Sequence, residues 1–166
     1  MRVLVISDIH GSIEYTNMIN YLYDKEHADK IVLLGDLGSY YQDNYLINEL
    51  VKKYNNNIIC IKGNNDYQGY YNIKLEDYYI MNINNKMFYF THGDIFDYTC
   101  VPDFINVYMQ GHTHVGNLSR YNNLILANPG SIAYPRDSIH SYILIDEHYI
   151  YLKDVDCNII KKIAYN

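Results

Sequence analysis

The sequence predicts an α/β sandwich with mixed β-sheets, and three observations carry that expectation. Short apolar, β-branched or aromatic runs recur along the chain and end abruptly in a small or polar residue. Between the first of these runs lie segments whose apolar residues fall at helical spacing. After Tyr78 the pattern changes to closely spaced, hairpin-like strands, with Asn84-Asn85 as a turn, so a purely parallel sheet is not expected.

Each element follows in order. Residues 3–6 form a first strand that leads to Ser7-Asp8. Residues 12–26 form a helix, because Tyr15, Met18, Ile19, Leu22 and Tyr23 share one helical face and Ser12 supplies an N-cap. Residues 31–34 form a second strand ending at Gly35-Asp36. Strand, helix, strand implies a right-handed crossover with both carboxyl ends on one side. Residues 45–54, apolar at Leu46, Ile47, Leu50 and Val51, repeat the helix; residues 58–61 repeat the strand and lead through Lys62 to Gly63-Asn64. Residues 87–90 lead to Thr91-His92, and residues 107–109 to Gln110-Gly111-His112. Residues 121–126 and 141–155 read as further strands, the latter broken at Asp146-Glu147. No internal repeat or linker divides the chain, so one domain is expected over 1–166.

Composition narrows the function. A chain of 166 residues can bury about 70% of the surface its unfolded form exposes. Net charge is −6, with 13 Lys and Arg against 19 Asp and Glu. That leaves no broad cationic face for stable duplex nucleic-acid binding. If the substrate carries phosphate, the positive charge must come from elsewhere, and metal ions are the obvious source. The 21 tyrosines accompany Ile, Asn and Lys enrichment and are read as genomic composition bias. Cys60, Cys100 and Cys157 form neither a C-x-x-C pair nor a disulfide ladder, which fits a reducing cytoplasm. The N-terminal apolar run is too short for a signal-peptide core, and no stretch reaches the roughly 20 apolar residues of a membrane span.

In α/β sheets, functional groups gather beyond the carboxyl ends of strands. The five strand endings deliver Asp8, Asp36, Asn64, His92 and His112 to one edge. Asp8-Ile9-His10 and His112-Thr113-His114 add companions at i+2, which an extended backbone would point to one face. A lone Asp in such a place is usually a cap or turn residue, and a lone His a structural one. Seven coincident endings make chance a poor explanation. His27, His140 and His148 lack this setting. Imidazole, carboxylate and amide donors suit Mn, Fe, Zn, Co or Ni, and the absence of cysteine argues against a structural zinc site. Seven ligands suit two ions rather than one, and Asp36, alone on its strand end, is the natural bridge.

Asp8-x-His10, Gly35-Asp36, Gly63-Asn64, His92-Gly93-Asp94 and Gly111-His112-x-His114 resemble, in order, the five motifs of the calcineurin-like metallophosphoesterases. The spacing, Asn-Pro-Gly-Ser at 128–131 and Pro-Arg at 135–136 resemble the small bacterial and archaeal phosphodiesterase branch. The resemblance implies a four-layer α/β/β/α sandwich of two mixed sheets flanked by helices. It also implies two divalent transition-metal ions, manganese foremost. One ion would take Asp8, His10, Asp36 and His114, and the other Asp36, Asn64, His92 and His112. The implied reaction is phosphodiester hydrolysis by in-line attack of a metal-bridging hydroxide on a small substrate. Two divalent ions, two carboxylates and a hydroxide leave a charge of about +1 to meet a phosphodiester.

One position departs from the family. The residue after the ligand Asn is commonly His, or Cys in some small phosphodiesterases; in the His case it is thought to contact the phosphate and help protonate the leaving group. This chain has Asn65, which can donate a hydrogen bond to substrate but cannot act as a general acid near neutral pH. No proton donor is thereby assigned, and Asp66 would lose its usual imidazole partner. Alternatives to the diesterase are a phosphomonoesterase or nucleotide pyrophosphatase with the same metals, and a non-catalytic scaffold of the kind this family also contains. Arg136 is a candidate substrate contact or a structural residue, and the oligomeric state is left open.

Overall fold

The first strand, β1 (Val3–Ile6), is buried at every position, and its side chains divide by the strand period of two. Leu4 and Ile6 pack toward helices, Val3 and Val5 toward a second sheet. The computed structural model describes residues 1–39 and 44–165. Helix α1 (Ile13–Lys25) starts where Ser12, in extended conformation, accepts a hydrogen bond from the Tyr15 N–H, and it buries Thr16, Ile19 and Leu22. It ends at His27, whose left-handed backbone (φ 49°) closes the helix while Ala28 N–H returns to Tyr23 O at 3.0 Å.

β2 (Lys30–Leu33) pairs parallel to β1, α2 (Tyr45–Tyr54) buries Ile47, Leu50, Val51 and Tyr54, and β3 (Ile58–Cys60) pairs parallel to β2. Next come β4 (Tyr78–Ile83) and β5 (Lys86–Thr91), joined at Asn84 (φ 50°) and Asn85 (φ 64°). Two successive positive φ values make this a type I′ hairpin turn, which asparagine tolerates. β6 (Val107–Met109), β7 (Gly116–Tyr121), β8 (Leu124–Pro129), β9 (Ser141–Ile145), β10 (Tyr149–Asp154) and β11 (Ile159–Ala164) complete the order.

Two mixed sheets result, in the orders β11-β10-β9-β1-β2-β3 and β4-β5-β6-β8-β7. Val3, Val5, Val32, Ile143 and Ile145 of the first face Phe88, Phe90, Val107, Met109 and Ile125 of the second across a shared core. Helices α1 and α2 cover the outer face of the first sheet. The layer over the second is thin: irregular chain with a 3₁₀ turn, Tyr98–Cys100, beside a smaller cluster built on Tyr89, Ile105 and Tyr108. β1, β2 and β3 are parallel, as are β5, β6 and β8, so one edge collects the ends of both sets.

Two sequence expectations are corrected. Residues 121–126 are not one strand but the tip of the β7–β8 hairpin, with Tyr121 opposite Leu124 and Asn122 at φ 53°. The apolar residues on either side mask the turn, and only the Asn-Asn pair marks it. β11 was not anticipated, because Ile-Ile-Lys-Lys-Ile-Ala lies largely exposed on a sheet edge and carries no burial pattern.

Candidate metal centre

All seven predicted ligands meet at the strand-end edge, four from loops of the first sheet and three from loops of the second. The loop after β1 runs beside the loop after β2: Asp8 N–H donates to Gly35 O at 3.1 Å, His10 N–H to Asp36 O at 2.8 Å and Gly11 N–H to Leu37 O at 3.0 Å. Two glycines let these loops close. Gly35 lies at φ +91°, and a Cβ there would stand 2.6 Å from His92 Nδ1. A Cβ at Gly63 would collide with Asp36 itself.

The convergence is achieved by a different backbone from the one expected. Asp8, His10, His112 and His114 have φ values of 56°, 49°, 66° and 60°, in the left-handed region rather than extended, and Asp36 lies in that region too at 50°. Strain of this kind is typical of functional sites, where surrounding contacts over-determine the backbone. Those contacts are present: Ser131 Oγ donates to Asp8 O at 2.7 Å, His112 N–H to Asp8 Oδ2 at 3.0 Å, and Gly111 N–H to His92 O at 3.0 Å.

Ligand atoms of Asp8, His10, Asp36 and His114 all lie within 4.8 Å of one another. His10 Nε2 is 3.2 Å from His114 Nε2, which is 3.2 Å from Asp8 Oδ1. A second group adjoins it. Asn64 Oδ1 is 3.0 Å from both His92 Nε2 and His112 Nδ1. Asp36 Oδ2 stands 3.6 Å from His10 Nε2 and 3.6 Å from His92 Nε2, between the two groups.

Hydrogen bonds on the far side of the rings set their tautomers. His92 Nδ1 donates to Leu34 O at 2.7 Å, and His114 Nδ1 to Tyr134 O at 2.7 Å. In a neutral imidazole the Nε2 lone pair of each then points into the centre. Lone pairs therefore face lone pairs: His114 Nε2 toward Asp8 Oδ1, and His92 Nε2 toward Asn64 Oδ1. Asp8 Oδ1 is buried and, among the described residues, accepts no hydrogen bond. No Lys or Arg among them pairs with Asp8 or Asp36; their ion-pair partners are histidines. Burial pushes the Asp8 carboxyl above its ordinary range, against the pull of Ser7 and of His92 and His114, with Asp36 adding repulsion. A buried, orphaned carboxylate oxygen ringed by N and O donors fits divalent cations.

The remaining candidates separate. Asn65 donates to both oxygens of Asp36, from its backbone N–H at 2.9 Å and its Nδ2 at 2.7 Å. Asp66 is buried and needs no imidazole: Oδ1 accepts from Leu37 N–H at 3.0 Å and Tyr71 OH at 2.6 Å, and Oδ2 from Gly63 N–H at 2.9 Å. Burial raises its carboxyl, and these hydrogen bonds oppose the rise. Arg136 N–H donates to His114 O at 2.9 Å, so its backbone is structural. His140 stacks on Tyr15 with Nδ1 on Ile132 O at 2.8 Å, away from the centre. Sequence reasoning missed the supporting residues Ser7, Tyr71, Ser131 and Tyr134. Only Ser131 carried a signal, as the last residue of Asn-Pro-Gly-Ser. Asn128 of that motif ties the histidine loop down, donating to Gly111 O at 2.8 Å and Thr113 Oγ1 at 3.0 Å.

Residues 1–148 match the calcineurin-like phosphoesterase superfamily domain. The chain belongs to that superfamily. It is 25% identical to phosphodiesterase YfcE of Escherichia coli K12, over 100% of this chain and 99% of that protein. It is 24% identical to phosphodiesterase MJ0936 of Methanocaldococcus jannaschii, over 78% and 83% of the two chains. The solved structure of YfcE, a phosphoesterase from E. coli, superposes with a TM-score of 0.90 at 24% identity, covering both chains fully. The zinc complex of Vps29 from Entamoeba histolytica gives a TM-score of 0.70 at 20% identity, again over both whole chains. For this phosphoesterase, the two-sheet fold thus agrees with that of known relatives.

Proposed function

We propose that the protein is a dinuclear, metal-dependent phosphodiesterase that cleaves a small phosphodiester by in-line displacement at phosphorus. One observation carries the reading: Asp36 Oδ2 stands 3.6 Å from an imidazole nitrogen of each donor group. Asp8, His10, Asp36 and His114 would hold one divalent ion, and Asp36, Asn64, His92 and His112 the other. Manganese is the foremost choice, and Fe, Ni, Co and Zn suit the same donors. When bound, such a pair supplies Lewis acidity and an activated water.

The chain's own residues do the rest. Leu34 O and Tyr134 O orient two of the imidazoles, and Asn64 offers an oxygen without adding negative charge. Two carboxylates against two divalent ions leave a net positive centre suited to a phosphodiester monoanion. Relatives named phosphodiesterases support a diester over a monoester. The three cysteines are free thiols, which supports a cytoplasmic setting. Among the described residues, no helix is long and apolar enough to cross a membrane.

Since a Vps29 structure is itself a zinc complex, metal uptake does not separate an enzyme from a scaffold. Turnover does. The test is a metal-swept assay of an aryl phosphodiester and its monoester on wild type and Asp36→Asn. We expect Mn²⁺-dependent diester cleavage that falls about 100-fold or more in the variant. Turnover that survives chelation, or a variant within twofold of wild type, would overturn the dinuclear reading. Preference for the monoester would replace it with a phosphomonoesterase.

A further inference from the structure

Asn65 follows Asn64 on the loop after β3, and both of its nitrogens address one carboxylate. The backbone N–H meets Asp36 Oδ1 at 2.9 Å, and Nδ2 meets Asp36 Oδ2 at 2.7 Å. Oδ2 is also the oxygen equidistant, at 3.6 Å, from His10 Nε2 and His92 Nε2. The atom shared by the two donor groups is therefore the one the amide holds.

We infer that Asn65 is a positioning residue: it clamps the Asp36 carboxylate in the plane that presents Oδ2 to both halves of the centre. The inference rests on the bridging role proposed for Asp36. Its physical basis is that the final torsion of an aspartate is broad and not set by rotamer preference. A carboxylate that must serve two partners at once needs its plane fixed from outside. Two donors from one residue, one on each oxygen, fix it. Gly63 leaves room for the carboxylate in this pose, because a Cβ there would strike Asp36 Oδ1. Asp36 is 2% exposed, so water does not compete freely for the oxygens. The amide is neutral, and the clamp leaves the charge of the centre unchanged. Among the described residues, Asn65 Nδ2 has no hydrogen bond other than this one. The side chain that follows Asn64 is thus turned toward Asp36.

Supporting partners of metal ligands are typically worth 10- to 100-fold in metal affinity. The test uses Asn65→Ala and Asn65→Leu; the second keeps the branching and heavy-atom count of the side chain but donates nothing. Metal-free wild type and variants, checked for equal far-ultraviolet circular dichroism, are titrated with Mn²⁺ by calorimetry. Steady-state kinetics on bis-p-nitrophenyl phosphate follow at saturating Mn²⁺. We expect both variants to lose about 10- to 100-fold in Mn²⁺ affinity at one or both sites, with KM at saturating metal within about twofold of wild type. Unchanged Mn²⁺ affinity with a raised KM would make Asn65 a substrate contact and overturn the clamp alone. Wild type that takes up no Mn²⁺ would overturn the clamp together with the dinuclear reading beneath it.

Discussion

Within residues 62–69, Lys-Gly-Asn-Asn-Asp-Tyr-Gln-Gly, neighbouring side chains of similar chemistry have unlike fates. Asn64 points its oxygen at two imidazoles, Asn65 holds Asp36, and Asp66 turns inward to tie two loops together. Asp66 joins the loop after β2, through Leu37, to its own loop through Gly63 and to Tyr71. Removing a buried acceptor of this kind leaves its donors unpaired. Asp66→Ala should cost about 3 kcal/mol or more in urea denaturation, and Tyr71→Phe, which removes one bond to a charged group, about 1.5 kcal/mol. A loss under about 0.5 kcal/mol for Asp66→Ala would show that the two loops hold together without it. That Asn64 is a candidate donor could be read from its place after a strand, whereas the direction of Asn65 could not. Adjacent asparagines look alike in sequence, and only the fold of the loop decides which one faces the imidazoles.

At the scale of elements, most strands and both helices could be read because their apolar residues follow the period of the element. β1 and α1 agree to within a residue or two with the expected bounds. The exceptions share a cause: the β7–β8 turn and β11 are exposed, so burial wrote no pattern into them. The turn makes a sharp distinction. In a continuous strand over 121–126, Asn122→Val would be neutral or favourable. In the observed hairpin, a β-branched residue at φ 53° is strained by about 1–2 kcal/mol, while Asn122→Gly relaxes the backbone. The melting temperature of Asn122→Val should therefore fall below that of Asn122→Gly. Equal melting temperatures would contradict the hairpin at this position.

At the scale of the molecule, a second charged cluster locks the helical layer to the first sheet. Glu26, at the end of α1, accepts from Tyr142 of β9 and Lys153 of β10, and Arg2 reaches its carboxylate at 3.4 Å and its carbonyl at 2.7 Å. Burial alone would raise the Glu26 carboxyl. Hydrogen bonds from Lys153 and Tyr142 and the charges of Lys153 and Arg2 outweigh it and hold the group below its ordinary value of 4.5. A depressed folded-state value means that the unfolded chain binds the proton more readily. The contribution is therefore complete above the ordinary glutamate range and is lost as pH falls through the folded value. Glu26→Gln should destabilise the protein by about 1.5–3 kcal/mol at pH 7. The gap from wild type should narrow as pH falls below about 4; a gap that stays constant to pH 3 would remove the ion pair from the account.

By itself the sequence determined the α/β class, the order of most elements and the seven candidate donors that the fold brings together, because strand runs that end in Asp, Asn or His are local patterns of apolar and polar residues. The tertiary structure decided what depends on two loops meeting. It placed three ligands from the second sheet against four from the first. It put Asp8, His10, His112 and His114 on left-handed rather than extended backbone, and it turned Asn65 onto Asp36. Those outcomes follow from contacts between segments as much as 123 residues apart, as with Asp8 and Ser131. No local pattern encodes them, since the strained backbone is held by hydrogen bonds that exist only after both sheets have packed.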